Sequence, residues 1–141
     1  MEYLDLTSLR KSLDSLSEAI DSVSDTEFME SLSEQQCRLI KAGVIQNFEF
    51  TYEASWKMLK RQLVLQEGGA DVNLLSRKDL YRLGAQKGLI DAPEKWFEYH
   101  RARNETSHTY DQKKSEFVYQ LTLTFLPSVK YLLNALEKSN S

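Results

Sequence analysis

A chain of 141 residues with 41% hydrophobic and 28% charged side chains has the size and balance of one globular domain spanning 1–141, enough to bury a single continuous core. Its 18 Lys and Arg against 21 Asp and Glu leave a formal charge of -3, which excludes an overall basic field drawing it to nucleic acid or to an anionic membrane, so any RNA contact has to be local. No run of about 18 apolar residues and no basic-then-apolar leader is present, so no membrane association and a cytoplasmic location are expected.

Leu6, Leu9, Leu13, Leu16, Ile20 and Val23 recur at spacings of three and four, which predicts a first amphipathic helix closed by the acidic and Ser-rich stretch from Asp21 to Asp25. From about Ser31 to Gln66 there is no Pro and only Gly43 among glycines, while Leu32, Leu39, Val44, Phe48, Tyr52, Leu59 and Leu63 keep a helical beat, predicting a second, long helix. Cys37 lies within it, with no second Cys for a disulfide or a thiolate metal site, and reads as a small buried side chain. Gly68-Gly69 supplies the stop, and Asp71 to Leu75 reads as a loop.

Ser76 followed by Asp79 reads as the capped start of a short connecting helix carrying Leu80 and Leu83 and ending at Gly88. Asp91 ahead of Ala92-Pro93-Glu94 signals the next start, because Pro lacks a donor that the first turn leaves unused, and this third long helix is expected to reach about Ser107. The last runs from about Lys113 to Glu137, with Pro127 expected to kink it. No window alternates in the manner of a strand, so the expected fold is all-α, an antiparallel up-down four-helix bundle with one short extra helix and no sheet.

The residues that could carry chemistry collect at the end of the third helix. His100, Asn104 and His108 are spaced by four, Arg101, Arg103 and Glu105 surround them, and from Arg101 through Ser107 there is no large apolar side chain. A bundle helix normally keeps burying something at its end, so this end is expected to line a cleft, a dimer seam or solvent. An Arg five residues before a His is a weak signal, but with Asn directly after the Arg and Tyr two after the His, the chance expectation falls to roughly two in ten thousand. His100 and His108, about 12 Å apart along a helix, are too far apart to chelate one metal, and no metal or cofactor is expected. On the second helix, Phe48, Tyr52 and Trp56 read as a core row. Glu49, Glu53 and Lys57 read as a solvated face paired along the helix, or else Glu49 or Glu53 orients Arg103 or His108 from the facing helix.

Three stretches in order, Phe48 to Lys57, then Gly88-Leu89-Ile90-Asp91 with Trp96, then Arg103-Asn104 with His108 and Tyr110, resemble the nucleotidyltransferase substrate-binding proteins of the HEPN superfamily of helical bundles. The resemblance covers most of the chain. It implies a homodimer working beside a minimal nucleotidyltransferase. It also implies one of two activities: a metal-independent ribonuclease toxin that the partner, as antitoxin, silences by transferring AMP to Tyr110, or a non-catalytic subunit that binds a nucleotide or other substrate for that partner. On the first, Arg103 and His108 are the ribonuclease pair and Asn104 their polar support.

The residues suit that chemistry. Attack by a 2'-hydroxyl on the neighbouring phosphate needs a proton acceptor, a proton donor and a group to hold the phosphorane charge. An imidazole with an ordinary pKa of about 6.5 serves as acid or base at neutral pH. A guanidinium stays charged and presents a planar fork to two phosphate oxygens. One chain supplies one such histidine, and residues five apart lie about 140° apart around a helix, so a two-fold seam bringing two copies of Arg103 and His108 together is expected.

Overall fold

The computed structural model describes residues 3–108 and 110–140; Thr109, inside the motif, lies outside the described residues. The helices are α1 (Thr7–Ser24), α2 (Thr26–Glu30), α3 (Glu34–Glu67), α4 (Gly69–Val72), α5 (Arg77–Gln86), α6 (Pro93–Glu105) and α7 (Gln112–Ser139), with a 3-10 turn, Thr106–His108, between the last two. Among the described residues there is no strand, and no helix is long and apolar enough to cross a membrane.

The apolar repeat of α1 does what its spacing requires. Leu9, Leu13 and Leu16 are buried against α3, with Ser12 and Ser15 opposite Thr51 and Asn47, so the two helices run antiparallel. Tyr99 reaches Ser128 while Arg101 lies over the Phe117 ring, which sets α6 antiparallel to α7. Leu4 and Asn140 exchange two hydrogen bonds, clasping the start of α1 to the end of α7. The result is an antiparallel four-helix bundle of α1, α3, α6 and α7, with α5 packed on α6. At its centre Phe48, Trp96 and Tyr99 meet Phe125 edge-on at centroid distances of 4.7 to 5.7 Å, contacts worth about 0.5–1.5 kcal/mol each beyond the area they bury.

Several expectations need correction. Two short helices were not predicted. Asp25, read only as part of a terminator, caps α2 by accepting from the Phe28 amide at 3.0 Å. Asp71 and Val72, read as loop, form part of α4, which Val72 anchors in the core. Within α3, Ser33 and Gln36 make a reciprocal capping box, but no side chain is fully buried before Val44. Leu39 is therefore exposed and Cys37 only half-buried, because the first turns of α3 lie outside the packed interior. α6 starts at Pro93, where the Asp91-Ala92-Pro93-Glu94 signal predicts it. Ala92 holds the cap position without a side-chain bond, and the Asp91 carboxylate instead accepts from Trp96 Nε1 and Ser128 Oγ. The third long helix stops at Glu105 rather than near Ser107, tightening into the 3-10 turn. The last segment, predicted as one helix, runs unbroken from Gln112 to Ser139 with Pro127 inside it.

Candidate active site

The motif occupies the end of α6 and the turn into α7. Arg103 leans across to α3, where its Nε donates to Glu53 Oε1 at 3.1 Å. Its Nη1 donates to Thr106 Oγ1 at 3.1 Å, and the Thr106 hydroxyl donates back to the Arg103 carbonyl at 2.7 Å. Two of the three guanidinium nitrogens are thus anchored, and among the described residues Nη2 has no partner. Glu53 is the hub of the contact: its other oxygen accepts from Trp56 Nε1 at 3.1 Å and lies 4.0 Å from Lys57 Nζ. Of the two carboxylates singled out in the sequence, Glu53 is the one that meets Arg103. Glu49, one turn earlier, lines a separate cavity of about 830 Å3 together with Arg38, Lys41, Phe50, Tyr110 and Glu116.

His108 is paired with Tyr110 rather than with Arg103. Its Nδ1 lies 3.4 Å from the Tyr110 hydroxyl, the two rings meeting edge-on with centroids 6.0 Å apart, and Tyr110 is 84% exposed. Within one chain Arg103 and His108 make no described contact. Asn104 is exposed at the surface between them, its backbone carbonyl accepting from Ser107 Oγ. Arg101, which stands beside Arg103 in the sequence, pairs instead with Glu98 and covers Phe117.

A second polar cluster sits behind Glu53 and was not singled out in the sequence. Arg77, at the start of α5, donates through Nη1 to the Tyr52 hydroxyl at 3.0 Å and lays its guanidinium 3.6 Å from the centre of the Trp56 ring. The Tyr52 hydroxyl also bonds the Tyr81 hydroxyl and lies 2.9 Å from His100 Nδ1. One arrangement satisfies every proton: Tyr52 accepts from Arg77 and Tyr81 and donates to Nδ1, leaving the His100 ring hydrogen on Nε2. Burial, together with the Arg77 charge, accordingly holds the His100 pKa below the ordinary histidine value. His100, which shares the spacing of Asn104 and His108 in the sequence, is tied into the core by this bond, whereas Trp56, read as core, is half-buried and faces the site. Arg77 carries no local signal in the sequence beyond following a capping serine. No cluster of three or more metal-ligating side chains occurs among the described residues.

Comparison with known proteins places this geometry in context. Residues 4–138 match the family model described as nucleotidyltransferase substrate binding protein like. A probable ribonuclease HepT of Haemophilus influenzae is 37% identical over 140 residues, which are 99% of this chain and 96% of the relative. A solved structure from Haemophilus influenzae, described as revealing the fold of a substrate binding domain of a nucleotidyltransferase, superposes with a TM-score of 0.89 at 36% identity, covering 94% of this chain and 99% of that one.

Proposed function

Because the chain belongs to the nucleotidyltransferase substrate-binding protein family, we propose that it is the partner of a minimal nucleotidyltransferase, and that it acts as a metal-independent endoribonuclease toxin silenced by adenylylation of Tyr110. The observation that carries the reading is the state of Arg103. A guanidinium held through two nitrogens by Glu53 and Thr106, with the third open, is a preorganised clamp for a phosphate oxygen, and preorganised charge is the largest single contribution to most catalysis.

In the proposed reaction, the 2'-oxygen of RNA attacks the adjacent phosphorus as a base removes its proton. The bond from phosphorus to the 5'-oxygen breaks and that oxygen takes up a proton, leaving a cyclic phosphate and a free 5'-hydroxyl. His108 is the proton-transfer group, Arg103 stabilises the pentavalent charge, and Asn104 is the polar support of that pair. Since Arg103 and His108 make no described contact within one chain, the working site draws on a homodimer. Leu39 at 66% and Phe50 at 60% exposure share one face of α3 with Ala42 and Gln46, and Phe50 lines the same cavity as Tyr110, an apolar stripe suited to a two-fold seam beside the motif.

Adenylylation joins the Tyr110 oxygen to the α-phosphorus of ATP and releases pyrophosphate. An exposed phenol at the tip of the turn is open to an incoming enzyme, and the added phosphodiester brings negative charge within reach of His108, where it opposes the RNA backbone. The second reading, a non-catalytic nucleotide-binding subunit, draws support from the roughly 830 Å3 cavity beside Glu49 and Tyr110 and from the description of the solved structure as a substrate binding domain.

The test is cleavage of total cellular RNA in EDTA by wild type, His108→Ala and Arg103→Ala at matched folded concentration. Cuts made by wild type alone, abolished when the partner enzyme and ATP are added first and retained in Tyr110→Phe under the same treatment, are the expected result. Intact RNA with wild type overturns the ribonuclease and leaves the nucleotide-binding subunit.

A further inference from the structure

Beyond Glu53 the protein holds a second cavity, of about 310 Å3, whose cations face no anion. It is lined by Trp56, Lys60, Ser76, Arg77 and His100 over an aliphatic floor, with no carboxylate among its walls. A half-buried guanidinium ordinarily meets a carboxylate, because desolvating the charge alone is costly. Arg77 meets only neutral groups: the Tyr52 hydroxyl, the His100 ring nitrogen at 3.5 Å and the face of Trp56. Lys60, one turn along α3 from Trp56, has no ion pair or side-chain hydrogen bond among the described residues. Two cations held around one space repel one another until an anion enters, and a tetrahedral oxyanion matches the donors that they and the neutral imidazole offer.

We infer that this cavity is a phosphate subsite, with Lys60 and Arg77 neutralising the charge and the His100 Nε2 hydrogen available as a further donor. The source of the phosphate rests on the ribonuclease reading: it is a phosphodiester of the same RNA strand, close to the one held at Arg103. His100 and Arg103 are three residues apart on α6 and so neighbours on one face, and the chain of contacts Arg103–Glu53–Trp56–Arg77 runs without a break from the one site to the other. Cations gathered at Lys60, Arg77 and Arg103 would give a chain of net charge -3 a local surface for RNA.

The experiment follows the Trp56 indole and His100 ring signals by NMR in the full chain, at constant ionic strength, while adding inorganic phosphate, AMP or a 2'-O-methyl RNA trinucleotide, which binds but cannot be cut. Both signals are expected to move with phosphate and with the trinucleotide, the trinucleotide binding more tightly. Lys60→Gln is expected to weaken each by about tenfold, the loss of one charge-assisted contact. Arg77→Lys, which keeps the charge and loses the fork, should weaken them as well. Lys60 is unpaired and partly exposed, so its substitution leaves the fold intact, and the buried Trp96 signal reports on that directly. No movement with any of the three, or wild-type affinity in Lys60→Gln, overturns the subsite. AMP binding more tightly than the trinucleotide, with the same dependence on Lys60, upholds the phosphate subsite and overturns the strand as its source. Because the trinucleotide is uncleavable, the result is independent of whether His108→Ala abolishes RNA cleavage.

Discussion

Asp91 ties the start of α6 to the middle of α7, and its removal has a calculable cost. One carboxylate oxygen accepts from Trp96 Nε1 at 3.1 Å; the other accepts from Ser128 Oγ at 2.9 Å and from Lys95 Nζ at 3.2 Å. Trp96 and Ser128 are buried, whereas Lys95 is 60% exposed and its ion pair adds little. Asp91→Ala orphans the buried Trp96 donor at about 1–3 kcal/mol and takes from Ser128 a further bond of about 1 kcal/mol, leaving that hydroxyl only Tyr99, so a loss of about 3 kcal/mol is expected, and Asp91→Asn, which keeps an acceptor for one of the two donors, should lose about half as much. In a domain of this size about 3 kcal/mol lowers Tm by roughly 10 °C. Burial alone would raise the Asp91 pKa, but the hydrogen bonds from Ser128, Trp96 and Lys95 outweigh it and hold the carboxyl below the usual carboxylate range. A pKa lower in the folded than in the unfolded state contributes stability that is complete above the unfolded pKa, about 3.9, and is lost as pH falls through the folded one. The difference between wild type and Asp91→Asn in urea unfolding should therefore be full at neutral pH and close below about pH 4. A loss under about 1 kcal/mol for Asp91→Ala, or a gap that widens on acidification, would refute the reasoning.

Gly88 closes α5 with φ at +76° and has open space where a Cβ would stand, so Gly88→Ala should cost about 1 kcal/mol from backbone strain alone, and Gly88→Asn less, as read by thermal unfolding. Glu53→Gln removes the carboxylate that aims Arg103 across a half-exposed contact; stability should change by less than about 1 kcal/mol while RNA cleavage falls by about tenfold or more, and unchanged cleavage would show that Arg103 needs no aiming.

What could be read in the sequence was whatever is decided locally. The three-and-four spacing from Leu6 to Val23 is a property of one helix, and so is the Gly68 stop, which adopts the positive φ of 96° that its lack of a Cβ permits. Ambiguity began where one side chain has both a local and a distant use. Asp91 has the chemistry of a cap and also that of a buried acceptor, and the choice falls to Ser128, 37 residues later. Glu49 and Glu53 were equal candidates for Arg103, and only the register of α3 against α6 separates them. Arg77 was invisible, since an arginine in the first turn of a short helix is ordinary until Trp56 and Tyr52 are seen beside it. The short helices α2 and α4 were missed because each is little more than one turn and shows no period.

The turn that carries His108 and Tyr110 is secured at both ends by side-chain hydrogen bonds to the neighbouring helix ends. Thr106 closes α6 through the Arg103 carbonyl, and Asp111 opens α7 by accepting from the amides of Lys113 and Lys114. Neither helix end rests on the Tyr110 side chain, which is 84% exposed, so a change at that phenol leaves both caps in place.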